Sequence, residues 1–409
     1  LRGKRGVKIY LVDVYSRIKG PYADGRLDTM AVQGEDIVST IDMDLQEYGE
    51  YLMRNKTGSI VALEPETGEV LALVSSPSYD PGLLVGRVRS ENFAKLNSDT
   101  IWLPLFNRAL QASYPPGSTF KPINGLIGLQ EGVIEPSTRF GCNMGYLFVG
   151  CHSHTSPLDL MHGISNSCNS YFCQTFRRIL ENSRYGSIAD AYDKWKGYLN
   201  EFGFGKKLGI ELSNELPGLV PSTSYFDRYY GKNRWKALTV ISMAIGQGEI
   251  GTTPLQMANM TAAIANRGYY YIPHVVKSIG KDGKIDQRFL TRQRIGIDSV
   301  NFEEIICGME EAVNGQAGAT ARIAALKDII VCGKTGTAQN PHGKDHSVFV
   351  AFAPKDDPKI AISVYVENAG FGATYAAPVA SLMIEKFLTG KVTNTAMEKR
   401  ILELNLMNR

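Results

Sequence analysis

The chain contains no run of about 18 or more uncharged apolar residues, so no segment of it reads as a membrane-spanning helix. Charge of one sign is also missing: 44 Lys and Arg stand against 41 Asp and Glu, a formal +3. The basic residues are dispersed, apart from Arg2, Lys4, Arg5 and Lys8 at the start, which gives no reason to invoke nucleic acid as a partner. Cysteine is sparse, with six in 409 residues, so no disulfide framework organises the fold. Only three tryptophans occur, Trp102, Trp195 and Trp235, and they read as packing or cleft walls rather than a cofactor box. Internal repeats and low-complexity tracts are absent as well, which excludes repeat architectures.

What remains is an ordinary globular composition, 44% apolar and 21% charged. At 409 residues the chain exceeds the usual ceiling for one compact core, so one large domain with a smaller part is expected. It opens on leucine, and we expect a fragment or processed form of a longer protein.

Residues up to about Glu35 are Gly-rich, with turns at Gly20-Pro21 and Asp24-Gly25, and are too short to form an independent core. A helix is expected after Ser39-Thr40-Ile41-Asp42, then a hairpin of Ser59 to Leu63 and Glu69 to Val74. Helical periodicity dominates the middle, including Ile123 to Gln130, 187 to 203, 236 to 245 and the segment beginning at Pro254. The last third turns strand-like over Ile329 to Gln339, Ser347 to Ala353 and Lys359 to Val366, then closes with a helix from about Pro378. The early hairpin has no partner near it in sequence, so it is joined to the late strands. The expected fold is therefore α+β: an antiparallel sheet built from both chain ends, with a large helical insertion between.

The candidate chemistry begins at Tyr114-Pro115-Pro116-Gly117-Ser118-Thr119-Phe120-Lys121-Pro122. Two prolines and a glycine deliver Ser118 to the start of a helix, where exposed N–H groups and the positive dipole end surround it. Lys121 lies one turn on, where its amine can reach the serine oxygen and activate a nucleophile without histidine. Ser-x-x-Lys also occurs at Ser16 to Lys19 and Ser278 to Lys281, but neither opens an apolar helix. Ser167 and Asn169 interrupt two apolar helical segments, where side chains can project into a cleft. Lys334-Thr335-Gly336-Thr337 lies on a late strand and supplies a fixed charge, two hydroxyls and a glycine that lets a ligand approach the backbone.

Ser-x-x-Lys, Ser-x-Asn and Lys-Thr-Gly, in this order and setting, are similar to the motif set of penicillin-binding proteins and class A β-lactamases. From about Asp36 onward the chain resembles the class B (monofunctional) penicillin-binding proteins. Gly246-Gln247-Gly248-Glu249, Thr253-Pro254-Leu255-Gln256 and Gly333 to Gln339 extend the resemblance. Leu1 to Gly6 and Gly218-Leu219-Val220-Pro221 look most like the elongation-type branch, penicillin-binding protein 2. The resemblance implies a pedestal remnant over 1–36, a transpeptidase domain over 37–392 and a tail over 393–409. It implies a serine D,D-transpeptidase of peptidoglycan synthesis, acting on stem peptides that end in D-Ala-D-Ala and acylated by β-lactams. Ser118 would be the nucleophile, Lys121 the base, Ser167 a proton relay and Asn169 a holder of the donor's amide. Lys334 would place charge in the site, with Thr335, Gly336 and Thr337 binding the substrate. The Ser118 and Thr337 N–H groups would form the oxyanion hole. A membrane anchor in the full-length protein, a bacterial inner-membrane location with the catalytic domain on the periplasmic side, and a SEDS-family glycan polymerase as partner are implied in the same way.

Other readings of the same residues stay open at this stage: a D,D-carboxypeptidase or serine β-lactamase on the same scaffold, or a β-lactam-sensing module. Glu201 and Glu211 fall where a deacylating glutamate would be sought, but neither sits in a matching context. No cofactor is required by this chemistry. Cys142, Cys151, His152 and His154, with His162 and Cys168 further on, invite zinc, yet their spacing matches no standard motif; a Cys142–Cys151 disulfide or free thiols are the preferred reading. Asp345-His346 is read as a turn with a histidine capping the next strand.

Overall fold

Strand after strand in this chain is apolar on both sides of its pleat, and the structure shows why. In this computed structural model, which describes residues 3–316 and 318–407, a five-stranded antiparallel sheet is buried on both faces. The strands are β1 (Gly58–Leu63), β2 (Val70–Ser76), β3 (Cys332–Ala338), β4 (His346–Ala353) and β5 (Ile360–Val366). Their order is β3-β4-β5-β1-β2, so the early hairpin joins the late meander where β5 pairs β1, with Ala361 opposite Leu63 and Val366 opposite Gly58. The expected α+β fold and its sheet from both chain ends are thus found.

Alternation along each strand divides the core in two. Ile60, Ala62, Phe349, Ala351, Ile362 and Val364 face one layer, closed by α1 (Met43–Met53) and a late helix (Ala376–Thr389). Val61, Leu63, Val348, Val350 and Phe352 face the other, which is the helical insertion. That insertion includes α2 (Lys121–Gln130), α3 (Leu160–Ser165), α4 (Asn169–Leu180) and α5 (Pro254–Ala265). Helix α5 is buried at every position, and its start carries Pro254 at the first helical position behind a Thr253/Gln256 capping box.

Local differences from the sequence reading have physical causes. The segment 237–245 is a kinked 3-10 helix rather than α, broken at Val240 and stopped by Gly246 at φ 69°. The joint between α3 and α4 ends before Asn169, which is already helical, because the Cys168 side chain accepts the Tyr171 N–H as its N-cap. After α1, Lys56 Nζ donates to the Leu52 carbonyl at 2.9 Å, and Gly58 opens β1 at φ 152°, where a Cβ would stand 2.0 Å from the Tyr365 carbonyl. Among the described residues before 40, none is buried. Leu1 and Arg2, named in the sequence reading, lie outside the described residues.

Candidate active site

The nucleophile loop is held between the sheet edge and the helical layer. Gly117 adopts φ 58°, its N–H donates to the Gly246 carbonyl at 2.9 Å, and a Cβ there would lie 2.6 Å from Thr337 O. A Cβ on Gly336 would likewise meet Thr119 Cγ2 at 2.9 Å. Loop and strand therefore touch backbone to backbone, and only glycine permits it. This contact puts Ser118 and Thr337 on one wall of the same cleft. Ser118 stands half-buried in a 3-10 turn (Gly117–Phe120), and α2 begins at Lys121 rather than at Ser118.

Behind the cleft lie two fully buried lysines. Lys121 Nζ donates to Ser167 O at 2.6 Å, Ser167 Oγ at 3.1 Å and Asn169 Oδ1 at 2.6 Å. Lys334 Nζ donates to the same Ser167 Oγ at 2.8 Å and to Thr335 O at 2.9 Å. Ser167, at φ 55°, is thus the hub of two amines from opposite layers of the molecule. The direct Lys121-to-Ser118 contact expected from one helical turn is not among the hydrogen bonds of the described residues; the amine is drawn to the Ser167/Asn169 joint instead. Burial lowers Lys121 to about 8, even though the neighbouring thiols, Cys151 foremost, favour its ammonium form. Lys334 is pushed well below the usual lysine range, first by burial and then by the charge of Lys121. Two close amines in a dry site cannot both hold protons cheaply, so one of them is available to accept one.

The cleft encloses about 450 Å³ and is lined by Ser118, Ser167, Asn169, Thr335, Gly336 and Thr337, all named from sequence. Because β3 is an edge strand, its unpaired backbone side faces this space and can pair with an extended peptide. The wall also includes residues that sequence reasoning missed. Gln247 Nε2 donates to Thr337 O at 3.2 Å, and Thr320 Oγ1 accepts from Thr335 Oγ1 at 3.2 Å. Gln247 lay in a motif already noted, but Thr320 and Phe371 carried no sequence signal, since folding alone brings their loops to the rim. Glu201 and Glu211 are elsewhere: Glu201 accepts the Gly296 N–H, and Glu211 those of Val275 and Val276. Asp345 lines the cleft, while His346 opens β4 with Nδ1 accepting the Asn368 N–H at 3.1 Å.

A thiol cluster adjoins the Ser167/Asn169 joint. Ligand atoms of Cys142, Cys151, His154 and Cys168 all lie within 4.8 Å of one another. All six cysteines are free thiols, so of the two preferred readings of Cys142 and Cys151 the structure has the free thiols, and Cys168 rather than His152 completes the set. His152 lines the cleft instead. His154 Nδ1 lies 2.6 Å from Thr155 O, and its Nε2 lies 3.5 Å from Cys151 Sγ. Donation from Cys168 S–H, together with His152, the Asn169 N–H and His154, holds the Cys151 thiol far below its usual range; Cys168 is pushed up in return. Asn169 is bound to this cluster twice, its N–H donating to Cys151 Sγ at 3.3 Å and its Nδ2 to Gly150 O at 2.7 Å.

With this geometry in view, comparison with known proteins is informative. The model of the penicillin binding protein transpeptidase domain matches residues 58–385. The peptidoglycan D,D-transpeptidase MrdA of Acinetobacter baumannii is 33% identical over 413 residues, a match covering 96% of this chain and 59% of that protein. The chain thus spans well under two thirds of that relative's length. Among solved structures, penicillin-binding protein 2 of Pseudomonas aeruginosa in complex with WCK 5153 superposes with a TM-score of 0.77 at 34% identity, covering 90% of this chain and 79% of that one. The penicillin G acyl-enzyme of penicillin-binding protein A from Mycobacterium tuberculosis gives a TM-score of 0.69 at 27% identity, covering 88% and 82%.

Proposed function

The chain belongs to the penicillin-binding protein transpeptidase family, and from that premise we propose that it is a serine D,D-transpeptidase that cross-links peptidoglycan stem peptides through an acyl-enzyme on Ser118. The observation that carries this reading is the convergence of Lys121 and Lys334 on Ser167 Oγ, at 3.1 and 2.8 Å, directly behind the cleft that Ser118 lines. Ser118 Oγ attacks the carbonyl between the two terminal D-alanines, and its proton passes to the Lys121 amine. The N–H groups of Ser118 and Thr337 receive the developing oxyanion, a contribution of about 3–4 kcal/mol per donor. The Ser167 hydroxyl, held by both lysines, returns a proton to the departing D-alanine amine. Asn169 holds the donor amide, Lys334 places positive charge in the site, and Thr335, Gly336 and Thr337 receive the terminal carboxylate. The acyl group then passes to an amine of a neighbouring stem peptide, and a β-lactam acylates Ser118 in the donor's place. In the same reading residues 1–36 end a pedestal domain, 37–392 form the transpeptidase domain and 393–409 a tail. The full-length protein is anchored in the bacterial inner membrane, with this domain on the periplasmic side and a SEDS-family polymerase as partner.

Mass spectrometry after incubation with penicillin tests the assignment, with a lasting adduct on Ser118 expected. Rapid loss of the adduct with hydrolysis of the drug would favour a β-lactamase or carboxypeptidase and sink the transpeptidase reading. Cross-linking of lipid-linked glycan strands that disappears in Ser118→Ala separates the enzyme from a sensor.

The reaction needs no metal, but Cys142, Cys151, His154 and Cys168 fit a structural Zn²⁺ site of the Cys₃His kind. Bound zinc would brace the Ser167–Asn169 joint, because Cys168 lies between those two residues and Asn169 bonds Cys151. Protein purified without added metal should carry about one equivalent of zinc, and Cys168→Ser should lose it. Zinc far below one equivalent in the parent protein rejects the site.

A further inference from the structure

Tyr114 lies four residues before Ser118, and its surroundings are unlike those of the rest of the loop. A cavity of about 880 Å³ opens behind it, lined in part by Ser113, Tyr114, Arg108, His346 and Glu367. The buried Tyr114 ring thus borders open space, and directed contacts add to its packing in fixing the loop. Besides the bond from the Gly117 N–H to the Gly246 carbonyl, three groups supply them. The Tyr114 main chain exchanges two hydrogen bonds with Thr252, at 3.0 and 2.8 Å. Tyr365 stacks on the Tyr114 ring with centroids 4.8 Å apart, and its hydroxyl donates to Pro115 O at 3.2 Å. The Tyr114 hydroxyl donates to Glu367 Oε1 at 2.5 Å, and Arg108 Nε donates to that same oxygen at 3.0 Å.

The far end of this chain of bonds is firmly fixed. Arg108, with its side chain 4% exposed, also donates from Nη2 to Trp102 O at 3.0 Å and from its backbone to Ser75 Oγ on β2. Glu367 follows β5, and its N–H donates to Thr57 O at 2.8 Å. Short charge-assisted bonds in a low-dielectric setting are stiff as well as strong. The sheet thus reaches across the cavity to grip the loop through one phenol.

We infer that Tyr114, Glu367 and Arg108 are positioning residues for the nucleophile: they hold the Pro115–Gly117 loop so that Ser118 Oγ and its N–H stay aligned for acylation. This role rests on Ser118 being the acylated residue. Tyr114→Phe removes only the hydroxyl and leaves Glu367 paired with Arg108, so the fold survives and the tether alone is cut.

The test is stopped-flow acylation of the whole chain by a fluorescent penicillin, separating the binding constant from the acylation rate constant. Tyr114→Phe should lower the acylation rate constant by about 10- to 100-fold, with binding and melting temperature little changed. Glu367→Gln, which keeps an acceptor, should retain more activity than Glu367→Ala. The Tyr114→Phe/Glu367→Ala double variant should be no slower than the slower single variant, since both cut one tether. A Tyr114→Phe acylation rate within twofold of wild type, whatever its melting temperature, overturns the role while leaving the Ser118 assignment intact. Absence of any Ser118 adduct on the wild-type chain overturns both.

Discussion

Lys121 is where residue-scale physics decides the chemistry. Its amine has three acceptors within hydrogen-bond reach, yet burial brings it down to about 8. A lysine acts as a base only when neutral, and a lowered value raises the neutral fraction at a given pH. Acylation of Ser118 by penicillin should therefore climb about tenfold per pH unit below about 8 and level off above it. A rate flat from pH 6 to 9 would remove Lys121 from the base role. Lys121→Ala should cost about 10²–10⁴-fold in the same measurement. Spacing alone paired Lys121 with Ser118, but only the structure shows the amine joined to Ser167 and Asn169, because hydrogen bonds made across layers leave no trace in local periodicity.

At the scale of elements, the site is an encounter between a loop and a strand that are more than two hundred residues apart. Gly117 and Gly336 make it possible, each at a place where a Cβ would stand under 3.0 Å from the other segment. Gly117→Ala adds both that contact and a positive φ, a strain of about 1–3 kcal/mol. Acylation should fall by about 100-fold or more while far-UV circular dichroism stays native, since the loop would have to withdraw from Thr337. Wild-type acylation in this variant would show that the close approach is dispensable. The glycines were visible in sequence as turn and strand glycines; their shared purpose was not, because it arises only once the loop meets the sheet edge.

For the whole molecule, the sheet joins residues near both ends of the chain, with the insertion folded between. Phe349 on β4 is fully buried in the layer away from the cleft, so Phe349→Ala should cost about 3–5 kcal/mol in chemical denaturation. By contrast, none of the described residues before 37 is buried, and Ile37–Ser39 is the segment that pairs with Val276–Ile279. A chain beginning at residue 37 should therefore keep its melting temperature within a few degrees and its acylation rate within twofold. A collapse of either would move the domain boundary toward the start of the chain.

The sequence by itself determined the five strands of the main sheet, most helices and the ordered trio around Ser118, Ser167 and Lys334. These depend on short-range patterns: alternation, helical periodicity, proline and glycine placement, and residue types that carry reactive groups. Tertiary structure alone decided which amine touches which hydroxyl, that Cys168 rather than His152 joins the thiol cluster, and that Glu367 grips Tyr114 from behind. Those outcomes depend on how distant segments approach through a shared core. Burial then sets the lysine and thiol ionisation that no linear spacing encodes.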